Sequence, residues 1–186
     1  MSDKQLGLYK TLLVDVSVLS GASPSFGSMA RCFFGRAGYQ AVVFYRVAAA
    51  FKDAGLFGRI VSRLLARWNL ALHGCDIDRL STIGPGLKLP HPCGIVIGPC
   101  SIGSGVMILQ NVTIGMRNFT DDESDHNYFP VIGSNVTISA GAVIVGSVRV
   151  GDGAIIGANA VVLKNVPDGH TAVGVPARSK ERKLGQ

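Results

Sequence analysis

The sequence predicts a mainly β fold, a parallel β-helix of six-residue repeats preceded by an α-helical segment, and two observations carry that class. From Ile132 onward every sixth residue is a branched aliphatic: Ile132, Ile138, Ile144, Val150, Ile156 and Val162. Four residues after each stands a small or branched one: Val136, Ala142, Val148, Ala154, Ala160 and Val166. Neither a helix nor an amphipathic strand has this period, whereas a triangular coil of three short sides, about eighteen residues per turn, does. The same register appears at Ile83, Leu89 and Ile95, skips by one residue and resumes at Ile102, Ile108 and Ile114, so the repeats run from about residue 79 to about 168. Gly84, Gly103, Gly133, Gly151 and Gly157 follow aliphatic positions, where a corner is expected to need backbone freedom.

Taken in chain order, residues 1–73 form an N-terminal helical segment. The apolar stretch from Leu12 to Gly21 looks superficially like a signal peptide, but Asp15 interrupts it. No uninterrupted run of 18 apolar residues occurs anywhere, so a soluble, unprocessed, cytoplasmic chain is expected. Gly21 to Gly27 reads as a loop, and Tyr39 to Phe51 and Leu56 to Leu72 read as helices. In the second, Arg59, Arg63 and Arg67 make a basic stripe, and Ile60, Val61, Leu64 and Leu65 cover another face. That face is expected to pack on the coil or on another subunit, with peripheral contact to a membrane surface as the other possibility.

The chain has 186 residues, 47% hydrophobic and only 16% charged, so an oligomer that hides part of the outer surface is expected. The net charge of +6 comes from scattered basic residues without interleaved aromatics, which argues against nucleic acid and is equally explained by the phosphates of a cofactor. Cys32, Cys75, Cys93 and Cys100 show no CxxC spacing and read as reduced thiols, with Cys93, four residues after Leu89, as a core position.

Two interruptions of the repeats carry the functional signal. A loop over 115–130 holds Gly115, Met116 and the acidic run Asp121-Asp122-Glu123-Ser124-Asp125-His126, and a polar loop leaving a coil is a binding or lid element more often than a packing device. The other is His91, in Leu89-Pro90-His91-Pro92-Cys93-Gly94, which falls on neither inward position and should face outward. Asp76 lies fifteen residues earlier, nearly one coil below.

At these residues the chain resembles the serine acetyltransferase group of hexapeptide acyltransferases. The resemblance rests on Asp76-Ile77, Ile83-Gly84-x-Gly86, His91-x-x-Gly94-Ile95-Val96-Ile97-Gly98, Ile108-Leu109-Gln110-Asn111-Val112-Thr113-Ile114-Gly115 and Gly174-Val175-Pro176-Ala177-Arg178, and it covers about residues 38 to 178. It implies a left-handed parallel β-helix domain over 74–178, followed by a basic tail over 179–186 that contains Lys180, Arg182 and Lys183. It also implies a homotrimer with active sites between subunits, acetyl-CoA as co-substrate and no metal. His91 matches the general base and Asp76 the carboxylate that orients it. An imidazole can remove the proton of an acceptor hydroxyl as that oxygen attacks a thioester, and a carboxylate fixes its tautomer. Gly115 and Met116 match the region that cradles the thioester oxygen. Ala140 and Ala158 match backbone contacts to the pantetheine arm, and Lys164 and Arg178 lie toward the cofactor phosphates. Asn111, Tyr128 and Phe129 fall on the acceptor side.

Three departures stand beside the matches. Pro90 replaces an Asp that grips the amino acid, Tyr128-Phe129 replace an Arg-His pair that holds its carboxylate, and no clear acidic counterpart exists near Ser23. A zwitterion needs both kinds of partner, and aromatic side chains suit a sugar ring. The expected acceptor is therefore a hydroxyl of a sugar or glycan, as in the polysaccharide-biosynthesis O-acetyltransferases, with L-serine as the alternative. A non-catalytic trimeric scaffold is a reading of another class. A zinc lyase sharing this coil would need three converging histidines from among His73, His91, His126 and His170.

Overall fold

The computed structural model describes residues 7–21, 23–116 and 129–182. Four helices come first: α1 (Leu8–Ser20), α2 (Phe26–Gly35), α3 (Ala37–Phe51) and α4 (Gly55–His73). Fourteen short strands follow among the described residues: β1 (Asp76–Ile77), β2 (Thr82–Ile83), β3 (Val96–Ile97), β4 (Ser101–Ile102), β5 (Met107–Ile108), β6 (Thr113–Gly115), β7 (Val131–Ile132), β8 (Thr137–Ile138), β9 (Val143–Val145), β10 (Arg149–Val150), β11 (Ile155–Ile156), β12 (Val161–Val162), β13 (His170–Val173) and β14 (Arg178–Glu181). The two longer sequence-predicted helices are present within a residue or two. The Leu12 to Gly21 stretch forms most of α1 and its left-handed cap, and α2 begins at Phe26, inside the stretch expected as a loop, under a Ser25–Ser28 capping box.

The strands pair in parallel and in rotation. A first face stacks β1, β3, β6, β9 and β12, a second stacks β2, β4, β7 and β10, and a third stacks β5, β8, β11 and β13. The chain visits first, second and third face in turn, so each circuit is a three-sided coil stacked on the one before it. Each two-residue strand puts its second residue inward, which is why one aliphatic per six residues suffices to fill the interior. Ile97, Ile114, Ile144 and Val162 line the first face at 0 or 1% exposure. Burying each of them contributes about 1.5–3 kcal/mol. The basic tail does not simply trail off, since Arg178–Glu181 turns back as β14, antiparallel to β13.

Three readings of the repeats are corrected by the pairing. Ile95 is not the first position of a repeat: Val96 and Ile97 align with Thr113 and Ile114, so the first-position residue is Ile97 and the corner after Leu89 holds two extra residues. That shift explains why Cys93 is exposed: with Val96 against Thr113, the inward place stacked on Val112 and Ala142 is taken by Ile95, 0% exposed. Gly84, Gly103, Gly133, Gly151 and Gly157 do not supply positive φ. A Cβ on Gly103 would stand 2.6 Å from the Ser134 nitrogen of the next coil, and one on Gly151 2.4 Å from that of Asp168, so close stacking is what excludes a side chain. Positive φ falls at other corner positions, among them Asn111, Asn135 and Asn159.

The helices are fastened to the first coil by a buried ion pair. Asp15 of α1, 0% exposed, meets Arg46 Nε of α3 at 3.0 Å, and its Oδ1 accepts from the amides of Gly86 and Leu87 at 2.7 and 3.1 Å. Arg46 also donates to the carbonyls of Ile83 and Gly84, and the Tyr45 hydroxyl donates to the Ser81 carbonyl at 2.7 Å. The apolar face expected of α4 is not what it buries. Gly58, Ser62 and Asn69 face inward, small or polar enough for α3 to approach closely, while Ile60, Leu64 and Trp68 are exposed. No described helix is long and apolar enough to cross a membrane.

Candidate active site

The corner between the third and first faces gathers four of the sequence-predicted site residues, His91, Asn111, Ala140 and Ala158. Its turns are Pro90–Gly94, Leu109–Asn111, Ser139–Gly141 and Gly157–Asn159, and they lie one above another. The Asn111 amide donates to the Cys93 carbonyl at 3.0 Å, Gly141 to Gln110 at 3.0 Å, and Asn159 to Ala140 at 2.9 Å. His91, Asn111, Ala140 and Ala158 therefore share a single edge of the prism. At about 4.8 Å per coil, the run from His91 to Ala158 spans on the order of 15 Å. The hairpin that carries Arg178 continues this edge, because Val161 donates to the Gly174 carbonyl at 3.0 Å and Ala177 to the Val161 carbonyl at 2.8 Å.

His91 sits on the two-residue enlargement of this corner, exposed and bracketed by Pro90 and Pro92. Each proline fixes its own φ and biases the residue before it toward extended backbone, so the projection of the imidazole is set locally. The corner is also braced from below. The α3 residue Gly38 approaches Leu89 so closely that a Cβ there would lie 1.7 Å from the Leu89 carbonyl oxygen. Asp76 stands on the coil beneath, aligned under Val96, two residues past the left-handed corner residue Gly74. Its side chain is exposed, and no hydrogen bond or ion pair joins it to His91 among the described residues. Asp76 instead lines a cleft of about 530 Å³ with Arg63, Ala66, Arg67, Leu70 and Arg79.

Other expected residues are placed elsewhere. Gly115 and Met116 close the opposite end of the first face, with the Gly115 carbonyl accepting from Gly146 at 3.0 Å, and exposed Lys164 follows β12 on that same edge. Asn111 has a conformational role it shares with Asn135 and Asn159: all have positive φ, and the side-chain oxygen of each packs under a glycine of the coil before it. Phe129 is 5% exposed, so it does not offer the open ring face expected for a sugar. Tyr128, His126 and the acidic run lie outside the described residues. Among the described residues no group of three His, Cys, Asp or Glu side chains is placed to hold a metal ion. The Arg63, Arg67 and Arg79 cluster beside Asp76 was missed in the sequence. The two helical arginines show as a stripe there, but nothing in the spacing says that the stripe turns toward Asp76.

The three-sided parallel coil is the architecture of hexapeptide repeats, and the bacterial transferase hexapeptide family (six repeats) matches residues 129–164. A serine acetyltransferase of Bacillus pumilus is 34% identical over 171 residues, covering 91% of this chain and 76% of that one. A putative serine acetyltransferase of Schizosaccharomyces pombe is 34% identical, covering 92% of this chain and 62% of its own length. Among solved structures, the Neisseria gonorrhoeae serine acetyltransferase superposes with a TM-score of 0.82 at 28% identity, covering 98% of this chain and 70% of that one. The soybean enzyme in complex with serine superposes at 0.81 and 32% identity, covering 93% and 69%. The chain belongs to the serine acetyltransferase family, whose members are O-acetyltransferases that use acetyl-CoA and no metal.

This overturns the sugar or glycan acceptor expected from the sequence, and with it the assignment to polysaccharide biosynthesis. The relatives that align over nine tenths of the chain are serine acetyltransferases, and buried Phe129 removes one of the two aromatic residues on which the sugar reading rested.

Proposed function

We propose that this chain is an acetyl-CoA-dependent serine O-acetyltransferase, with His91 as general base. The observation that carries this is the single edge on which His91, Ala140, Ala158 and the Arg178 hairpin follow one another, in a chain so similar to serine acetyltransferases along nearly all of its length. His91 takes the proton from the serine hydroxyl as its oxygen bonds to the thioester carbonyl carbon. The tetrahedral intermediate then collapses, the carbon–sulfur bond breaks, and the thiolate leaves and is protonated to free coenzyme A. Asp76, exposed on the coil beneath, is the carboxylate assigned to orient the imidazole. Backbone groups of Ala140 and Ala158 receive the pantetheine arm, and Arg178 lies toward the phosphates.

The coil is left-handed in this reading, and the working unit is a trimer. Gly115, Met116 and Lys164 lie across the first face from His91, so a site that uses both groups joins two protomers in the groove between them. The enzyme acts in the cytoplasm, in keeping with four free cysteines.

The test is free-thiol release from acetyl-CoA over a panel of acceptors. L-Serine should be turned over in preference to sugars and sugar nucleotides, and absence of serine-dependent thiol release refutes the reading. His91→Ala should abolish turnover while acetyl-CoA still binds. Asp76→Asn should lower kcat by about 10²-fold or more if it holds the imidazole tautomer, and an unchanged rate removes Asp76 from that role.

A further inference from the structure

The cleft beside Asp76 holds more positive charge than its own protein contacts use. Arg63 and Arg67 lie one helical turn apart on α4, and Arg79 follows β1, so the three arginines line one open cleft of about 530 Å³ together with Asp76. None of the three has a carboxylate partner or a hydrogen bond among the described residues. The contrast within this chain is informative: Arg46, which packs against the same first coil, is fully engaged by Asp15 and two carbonyls. Arginines one turn apart on a helix repel each other, and a bound anion relieves that repulsion. A guanidinium fork is also matched in shape to a carboxylate.

Resting on the serine reading above, we propose that Arg63, Arg67 and Arg79 hold the carboxylate of the acceptor. The positions that serve this purpose in the group the sequence resembles carry Tyr128 and Phe129 here, neither of which is a cation. An acceptor carboxylate then has to find its positive partner elsewhere, and the unpaired arginines open onto the same space as Asp76. The site takes small hydroxy acids with a free carboxylate and discriminates against neutral amides of the same shape. Two of its three cations come from α4 and the third from the first coil, none from the loop over 115–130.

The experiment compares L-serine with L-serinamide as acceptors, for the wild type and for Arg63→Gln, Arg67→Gln and Arg79→Gln, with the KM for acetyl-CoA measured alongside. The ratio of kcat/KM for L-serine to that for L-serinamide should fall by about 10-fold or more in at least one variant, the weight of a charge-assisted hydrogen bond. Arg67→Lys, which keeps the charge, should retain part of the preference and serves as the informative variant if a glutamine substitution does not fold. A ratio that stays at the wild-type value in all variants overturns the inference while leaving serine acetylation standing. A rise confined to the KM for acetyl-CoA also overturns it, since the arginines would then serve cofactor phosphates. Failure of the wild type to use L-serine at all refutes the underlying reading, and the inference falls with it.

Discussion

Replacing Asp15 by Asn tests whether the helical segment is held to the coil by charge. The carboxylate is fully buried, contacts Arg46 at 3.0 Å and accepts two backbone amides from the Gly86–Leu87 corner. An asparagine keeps one acceptor oxygen for those amides but removes the negative charge, so Arg46, 7% exposed, is left as an uncompensated cation. Breaking a buried pair in this way costs about 3–5 kcal/mol. Asp15→Ala should cost more, because it also orphans the two amides at about 1–3 kcal/mol for each buried group. Adding Arg46→Met to Asp15→Asn removes the stranded cation and should recover part of the loss, as coupled neighbours do. The assay is urea unfolding followed by the fluorescence of Trp68, the only tryptophan, at one fixed protomer concentration so that association does not enter. A loss below about 1 kcal/mol for Asp15→Asn, or strict additivity in the double variant, refutes the reasoning.

Three further outcomes are expected. Gly38→Ala drives a methyl to within 1.7 Å of the Leu89 carbonyl oxygen, so α3 must shift from the corner that carries His91. Both Tm and kcat should fall, by about 1–3 kcal/mol for the stability, and an unchanged melting curve contradicts the contact. Burial pushes the thiols of Cys75 and Cys100 up to about 12, and Cys32 is buried, whereas Cys93 is exposed two residues from His91. A disulfide thiol reagent at pH 8 should therefore label one thiol quickly and slow acetyl transfer, with Cys93→Ser removing both effects; two or more fast thiols would contradict this burial. Burial also lowers the pKa of His73, outweighing an opposing contact with Asn69. The unfolded chain then binds a proton more readily than the folded one, so the stability linked to His73 is complete above about pH 6.5 and is lost as the pH falls below it. Unfolding midpoints measured from pH 7.5 to 5 should show this decline, and His73→Gln should flatten it.

How far the site could be read in advance follows from what each residue does locally. The outward position of His91 was legible because a histidine flanked by prolines sits on neither inward place of its repeat. The edge shared with Ala140 and Ala158 was legible only through resemblance, since it depends on which corner of which coil each residue occupies. Cys93 and Ile95 were misplaced because two added residues in one corner and one fewer on the next side nearly cancel in the sequence count. The pairing of β3 with β6 reveals both. The sugar acceptor was inferred from what replaced the amino-acid contacts, without knowledge that Phe129 would turn inward.

By itself the sequence determined the repeating cross-section, because a six-residue period in branched aliphatics has one compact solution, in which each short side sends one side chain inward. It also determined the long helices, whose periodicity and boundaries are local properties. Only the tertiary structure decided that Asp15 would be paired with Arg46 rather than solvated, that glycines at the corners make room for the next coil, and that Arg63 and Arg67 would meet Arg79 beside Asp76. Those are contacts between segments far apart in the chain, fixed by how α1, α3 and α4 dock on the first coil, and no local periodicity encodes that docking.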